Sequence, residues 1–366
     1  MSIKIAHMTS VHPQNDNRIF YKECVTLNKN GYDVYLIAAG ADSRLVKGVN
    51  IVGFEKKGSN RLIRMVRTSF FEILRVCRRV DADVYHFHDP ELILAGLYLK
   101  AAGKKVIYDI HENNPASILS KPYIKSLFLK KVLSVFFDVF EKMAVRYFDA
   151  LVTARPDISK RFRHNSLITL RNYPILPDFS KINEAKIEKD KPAVIYVGGM
   201  TELRGISQLL DAFESLDEYE LWLLGPIKDK KIKNRIIKGC KNVKYFGSVE
   251  AHEVFNYIKK ADIGIVTFLE APNHIYTLAT KPFEYMACAK PMIMSNFQYW
   301  RETFKESALY VDPSNSQEIA ECIRCLFNDR VLMEKMGRLN RKLAHETFNW
   351  EKESAKLLEL YGKLKK

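Results

Sequence analysis

Short runs rich in β-branched and aromatic residues alternate along the whole chain with stretches whose apolar positions recur every three to four residues. In the first half, Lys4–Met8, Asp33–Ala38, Asn50–Phe54, Asp83–Phe87, Lys105–Ile110, Ala150–Thr153 and Leu167–Leu170 read as strands. Helical spacing separates them at Arg18–Asn28, Leu62–Arg79, Pro90–Ala101, Ser126–Tyr147 and Pro156–Arg163. Such alternation predicts a parallel sheet with helical crossovers. From Asn172 to Lys191 the period is lost, charges multiply and Pro174 and Pro177 intervene, as in a linker. A second alternation follows, with strands at Ala193–Val197, Glu220–Leu224, Val243–Phe246, Ile263–Phe268, Pro291–Met294 and Leu309–Val311. Its helices are expected at Gly205–Leu216, Asp229–Lys238, Ala251–Lys260, Lys281–Cys288 and Gln317–Phe327. The expected organisation is one α/β domain over residues 1–172, a linker over 173–191 and a second α/β domain over 192–348. Two such units in tandem leave a cleft, and ligands of parallel sheets sit at the C-terminal ends of the strands.

Composition narrows the class. The chain has 366 residues, more than one core usually organises, and with 47% apolar and 28% charged residues it belongs to folded rather than disordered proteins. No run of about 20 uncharged apolar residues occurs, and the N-terminus enters Ile3-Lys4-Ile5-Ala6 without an apolar leader, so a cytoplasmic location is expected. The six cysteines are scattered singly, as reduced thiols are, and Cys322 and Cys325 lack the second pair that a zinc site needs. No metal is expected.

The net charge of +15 calls for an acidic partner, whether nucleotide phosphates, an anionic bilayer or nucleic acid. Lys57, Arg61, Arg64, Arg67, Arg75 and Arg78 interleave with Leu62, Met65, Phe70, Phe71 and Leu74. Lys125, Lys130 and Lys131 likewise accompany Tyr123, Leu127, Phe128, Phe136 and Phe137. These basic amphipathic patterns suit an anionic membrane face, and a solvated face over a packed core explains them as well. No nucleic-acid-binding module accompanies the charge, so no nucleic-acid partner is expected.

Several segments carry candidate chemistry. In Thr280-Lys281-Pro282-Phe283-Glu284-Tyr285-Met286-Ala287 a helix starts near Lys281 and presents Glu284 in its first turns. A carboxylate so placed can accept hydrogen bonds from a vicinal diol such as a ribose, or it can simply favour the helix dipole. In Ile195-Tyr196-Val197-Gly198-Gly199-Met200-Thr201-Glu202-Leu203-Arg204-Gly205 a strand runs through glycines into a helix, where amide groups and Arg204 can meet a diphosphate. Gly225, after one strand, and Ser248 and Val249, after another, give the small, backbone-rich edges that a base requires. Near the C-terminal ends of first-half strands stand His88-Asp89-Pro90, with Asp89 placed to cap the helix at Pro90, and His111-Glu112. The loop Ser10–Phe20 offers His12, Asn17 and Arg18 for an acceptor or a phosphate, or is an ordinary polar loop capped at Asn17.

The Thr280–Ile293 segment resembles the hallmark of retaining family-4 glycosyltransferases of the bacterial polysaccharide type, in which a Phe-Glu-Tyr-Met-Ala core precedes Gly-x-Pro-Val-Ile; here Ala289 stands at the glycine. The resemblance implies the GT-B fold, two Rossmann-like domains with parallel sheets facing across a cleft, the first binding the acceptor and the second the nucleotide. It also implies that a last helix, residues 349–366, crosses back to the first domain. It assigns Glu284 to the ribose, Gly198, Gly199, Arg204, Gly225, Ser248, Val249 and Lys281 to the nucleotide and its phosphates, and His111 to the donor sugar. His111, Arg204 and Glu284 become the catalytic set, and His12, Asn17, Arg18, His88 and Glu112 face acceptor or sugar. An arginine usual after the first glycine is Gly199 here, with Lys281 its stand-in, and a glutamate usual eight residues before Glu284 is Tyr276, with His274, Thr277 or Glu270 as substitutes.

The implied reaction moves a hexose from a UDP- or GDP-linked donor to a glycan or polyprenyl-diphosphate-linked acceptor, without cofactor or metal, at the inner face of the cell membrane. Two rivals remain: a nucleotide-sugar 2-epimerase, which would consume donor without acceptor, and a non-catalytic anion- or nucleic-acid-binding protein, whose affinity would fall steeply with salt.

Overall fold

The computed structural model describes residues 2–56, 66–121, 124–179, 182–239, 241–250 and 253–364. Two compact units divide the chain, residues 1–172 with 350–366 and residues 173–349. In the first, β1 (Lys4–Thr9), β2 (Asp33–Ala39), β3 (Arg44–Val46), β4 (Val49–Phe54), β5 (Val84–Phe87), β6 (Lys105–Ile110), β7 (Ala150–Thr153) and β8 (Leu167–Thr169) form one sheet in the order β3-β4-β2-β1-β5-β6-β7-β8. All neighbours are parallel except β3 and β4, an antiparallel edge pair that the short run Arg44–Val46 did not announce.

The near-continuous apolar composition of the central strands follows from burial on both faces. Ala6, Met8, Tyr85, Phe87, Tyr108 and Ile110 pack into one layer, whereas Ile5, Val34, Leu36, Val84 and Ile107 pack into the other. The second layer is completed by Trp350, Leu357, Leu360 and Tyr361 of the last helix, Trp350–Leu364. Trp350 Nε1 donates to Thr26 Oγ1 at 2.8 Å, and the Glu353 carboxylate accepts from the Arg171 amide at 2.7 Å.

The second unit holds β9 (Ala193–Val197), β10 (Glu220–Leu224), β11 (Val243–Gly247), β12 (Ile263–Val266), β13 (Met292–Ser295) and β14 (Leu309–Val311), all parallel, in the order β11-β10-β9-β12-β13-β14. This is the doubly wound 3-2-1-4-5-6 arrangement, and its switch point lies between β9 and β12. The stretch 173–191 belongs to this unit rather than standing apart as a linker. Tyr173 is buried with its ring 5.0 Å from Phe283 and 5.4 Å from Phe348, and Lys189 pairs with Asp262 at 3.0 Å.

Several helices differ from expectation. The first begins with π-helical turns over Asn17–Cys24 before α-helix at Val25–Lys29, and its cap is Asp16, whose carboxylate accepts from the Arg18 and Ile19 amides, not Asn17. Lys57, Arg61, Leu62, Arg64, Met65, Tyr123 and Ala251 lie outside the described residues. The helix at Pro156 ends at Ser159. The helix Arg330–Glu346 escaped the periodicity because its buried stripe is small and polar: Asn340 donates to the Lys290 and Ser307 carbonyls, and the Ala289 carbonyl lies where a Cβ on Gly337 would be 2.4 Å away.

Ala289 itself sits at φ 56°, in the left-handed region that closes the helix Lys281–Ala287. An L side chain there costs about 1–2 kcal/mol, partly offset by the lower chain entropy of alanine in the unfolded state. Ala289→Gly should therefore raise stability by roughly 0.5–1 kcal/mol, read as a higher urea midpoint of the second unit.

Candidate active site

The C-terminal ends of β9 and β10 meet at a turn where backbone approaches backbone. Gly225, at φ +133°, is required there, because a Cβ would lie 2.2 Å from the Gly198 carbonyl oxygen. Gly205, at φ +71°, abuts the Thr267 carbonyl so closely that a Cβ would be 1.8 Å from it. Arg204 is laid over this turn: its Nη1 donates to the Gly199 carbonyl at 3.2 Å and its guanidinium lies 5.3 Å from the Phe268 ring centre. Tyr196 Oη donates to the same carbonyl at 3.0 Å.

The helix Lys281–Ala287 is anchored to β9 and β12 through Tyr285. Its hydroxyl accepts from the Val197 amide at 3.0 Å, and its ring lies so close to Gly264 that a Cβ there would be 2.3 Å away. That anchor leaves Glu284 half-buried in the first turns, with both carboxylate oxygens 2.7 Å from Lys281 Nζ. Lys281, expected as the stand-in phosphate cation, is thus held by Glu284. Another cation, Lys228, is exposed after β10, with its Cε 3.3 Å from where a Cβ on Gly199 would stand. The sequence reading missed Lys228 because only the pairing of β9 with β10 brings it to a turn 29 positions earlier.

Among the residues proposed to replace the upstream glutamate, His274 is tied down. A ring nitrogen lies 2.9 Å from the Leu269 carbonyl, and the ring packs 4.8 Å from that of Phe268. The Thr277 carbonyl accepts from Trp300 Nε1 at 2.8 Å. Tyr276, Glu270 and Ser248 are exposed, and Val249 is half-buried beyond β11.

The first unit gathers its polar residues at the C-terminal ends of β1, β5 and β6. Arg18, read as a substrate contact, is instead buried. Its Nε and Nη2 each donate at 3.0 Å to the Asp109 carboxylate, its Nη1 donates to the Leu170 carbonyl at 2.7 Å, and Glu23 lies 3.0 Å from its Nε. His88, also read as a substrate contact, is likewise buried, with Nε2 2.9 Å from His7 Nδ1 and Nδ1 3.3 Å from Asp109. His111 is the partly exposed end of this chain, its Nε2 3.0 Å from Asp109 and its ring 5.2 Å from that of His12. Asp89 occupies the cap position at Pro90 but makes no cap bond there. Its carboxylate accepts from Thr9 Oγ1 at 2.9 Å and the Ser10 amide at 2.6 Å, fixing the loop that carries His12. Asn17 and Glu112 are exposed, Glu112 accepting from Ser117 Oγ at 3.0 Å.

Electrostatics separates these groups. Burial would raise the Asp109 carboxyl, yet the Arg18 guanidinium and the His111 and His88 rings hold it well below the usual carboxylate range. Burial and the Asp109 charge push Glu23 well above it. Burial pulls His88 down to about 4 against the attraction of Asp109, and lowers His7 and His86 as well. The hydrogen bond to Asp16, with help from Asp89 against partial burial, raises His12. The buried imidazoles are neutral near pH 7, whereas His12 is the ring disposed to carry charge at the surface.

Residues 191–329 match the family described as glycosyl transferases group 1, and residues 17–169 match glycosyltransferase family 4. The spore coat protein SA of Bacillus subtilis strain 168 is 25% identical over 185 residues, which are 47% of this chain and 49% of that protein, so the match spans about half its length. A glycosyltransferase from Rickettsia africae ESF-5 superposes with TM-score 0.77 at 14% identity, covering 100% of this chain and 99% of that one. Sucrose-phosphate synthase from Thermosynechococcus elongatus gives 0.72 at 16% identity, covering 99% of each chain. Anabaena HepE, solved in complex with UDP-glucose, gives 0.70 at 12% identity, covering 99% of this chain and 100% of that one. At these identities the structural likeness is one of fold.

Proposed function

This chain belongs to the family-4 glycosyltransferases and has their GT-B fold, and from that premise we propose that it moves a hexose from a UDP- or GDP-linked donor onto a glycan acceptor with retention of configuration. The observation that carries the reading is the Lys281–Glu284 pair at the helix after β12, beside the Gly198–Gly225 turn of a doubly wound sheet. Ligands of such sheets bind outside the strand ends at the switch point.

Glu284 accepts the ribose hydroxyls, the amides around Gly198 and Gly199 and the Arg204 fork meet the diphosphate, and Lys228 or Lys281 adds the second cation. Gly225, Ser248 and Val249 border the base, and His111 contacts the donor sugar, with Asp109 holding its ring. As the glycosidic bond to the diphosphate lengthens, negative charge grows on the departing phosphate oxygen. Fixed cations and amides stabilise it without a metal at the reacting atoms, and that oxygen takes the proton of the attacking hydroxyl. A thermal-shift panel of UDP, GDP and ADP, followed by turnover of the matching sugar donors, tests this. Binding of none, with no glycoside formed, refutes the transferase, and donor consumption without acceptor makes it an epimerase.

The acceptor is a polyprenyl-diphosphate-linked glycan in surface-polysaccharide synthesis, met at the cytoplasmic face of an anionic membrane. Support comes from the helix Leu127–Ala144, where Phe128 is 77% and Phe136 70% exposed, with Leu127, Val135 and Met143 beside them and Lys130 and Lys131 on the same element. Phe137 and Phe140 of this helix pack against the core, but Phe128 and Phe136 do not, so a packed core leaves those two unexplained. Among the described residues no helix is long and apolar enough to cross a membrane. The double variant Phe128→Glu, Phe136→Glu should lose co-sedimentation with phosphatidylglycerol vesicles while keeping the nucleotide-induced thermal shift. Undiminished sedimentation would refute the docking face.

A further inference from the structure

We propose that His7, Glu23 and His88, with His86 beside them, form a binding site for a zinc-type divalent cation inside the first unit. The four side chains come from β1, from β5 and the residue that follows it, and from the π-helical turns after Asp16, and all are buried. One candidate ligand atom from each lies within 4.8 Å of the others.

The separations suit a metal. His7 Nδ1 and His88 Nε2 are 2.9 Å apart, and Glu23 Oε2 lies 3.8 Å and 4.0 Å from them. A point equidistant from these three atoms is about 2.1 Å from each, the length of zinc bonds to imidazole nitrogen and carboxylate oxygen. The outer partners decide which ring nitrogens keep a lone pair. Asp109, itself held by Arg18, lies 3.3 Å from His88 Nδ1 and keeps the proton there, so that Nε2 is an electron-pair donor. His7 Nε2 lies 3.4 Å from Tyr361 Oη, which serves the same purpose for His7 Nδ1.

A second observation points to an occupant. Both Glu23 carboxylate oxygens and His86 Nε2 are buried without a hydrogen-bond partner, although Arg18 is close enough to Glu23 for an ion pair. Such groups are rare in folded proteins and call for a reason. A proton shared by His7 and His88 would satisfy those two rings and leave Glu23 and His86 as they are. A cation gives Glu23 and both of those rings a partner, with His86 within 4.8 Å of all three. Imidazole nitrogens with one carboxylate select zinc over magnesium or calcium, whose preferred ligands are oxygens. The metal would tie β1 to β5 and to the first helix, and through His88 and Asp109 it would fix the orientation of His111. The inference does not depend on which donor the second unit binds.

The full-length protein, stripped with EDTA and desalted, is titrated with ZnCl2 alone and, separately, with CoCl2 alone. The expected result is about one equivalent of zinc per chain by elemental analysis, a melting temperature raised by zinc and restored by EDTA, and visible ligand-field bands of tetrahedral Co2+. Glu23→Gln should weaken zinc binding by about tenfold or more, whereas Cys322→Ser with Cys325→Ser should leave it unchanged. Should Glu23→Gln fail to fold, the wild-type cobalt spectrum decides alone. A featureless cobalt spectrum, less than stoichiometric zinc, or zinc binding that is lost with the cysteines and kept in Glu23→Gln would overturn the site.

Discussion

Arg18→Leu is expected to destabilise the first unit by about 3–5 kcal/mol, the usual cost of removing one partner from a buried ion pair. The substitution leaves the Asp109 carboxylate, fully buried, without the forked donor that now reaches both of its oxygens at 3.0 Å, and it frees the Leu170 carbonyl. Arg18→Lys keeps the charge but not the fork, so it should recover only part of the loss. Urea denaturation of each variant measures this, read as the transition of the first unit because two units need not unfold together. A shift under about 1 kcal/mol for Arg18→Leu would mean that Asp109 finds other partners and that the network does not depend on Arg18.

Glu284→Ala is expected to behave in the opposite way, with little change in stability and a large loss of donor use. Its bond to Lys281 is a partly exposed i, i+3 ion pair, and such pairs contribute about 0–1 kcal/mol. Two charge-assisted hydrogen bonds to a ribose diol are worth about 1.5–3 kcal/mol each, and their loss together should lower kcat/KM for the donor by roughly 10²- to 10⁴-fold. Glu284→Gln, which keeps shape and one acceptor oxygen, should fall between the two. Steady-state kinetics with the matching donor, alongside nucleotide affinity by calorimetry, reads both effects. Wild-type donor kinetics in Glu284→Ala would reduce the residue to a helix-dipole partner and remove the foundation of the nucleotide site.

The two variants differ in how legible their residues are. Glu284 is readable from the chain because its neighbours in space are its neighbours in sequence: Lys281 three positions before it, and Phe283, Tyr285 and Met286 filling the core around it. The strand pattern is readable for the same reason, since a strand buried on both faces must be apolar along its length. Arg18 and His88 misled because polar residues in loops and at strand ends are exposed on average. Their burial depends on the register that sets His7 beside His86, on the His88 amide bonding to the Met8 carbonyl, and on Asp109 arriving from β6. No spacing rule contains that meeting of positions 7, 18, 23, 88 and 109. Asp89 shows the limit in small: a carboxylate before proline reads as a cap, but the Ser10 amide and Thr9 hydroxyl, nearly 80 positions away in the chain, take it first.

The last helix has a bearing on how this molecule is made. Residues 1–172 leave the ribosome first, yet Trp350, Leu357, Leu360 and Tyr361, which close one layer of their core, follow only after everything from 173 to 349 has been synthesised. At 5–20 residues per second that interval is on the order of ten seconds or more. Throughout it the nascent first unit has only Ile19, Phe20, Cys24, Val25 and Leu27 of its first helix over a layer that the closing helix has yet to complete.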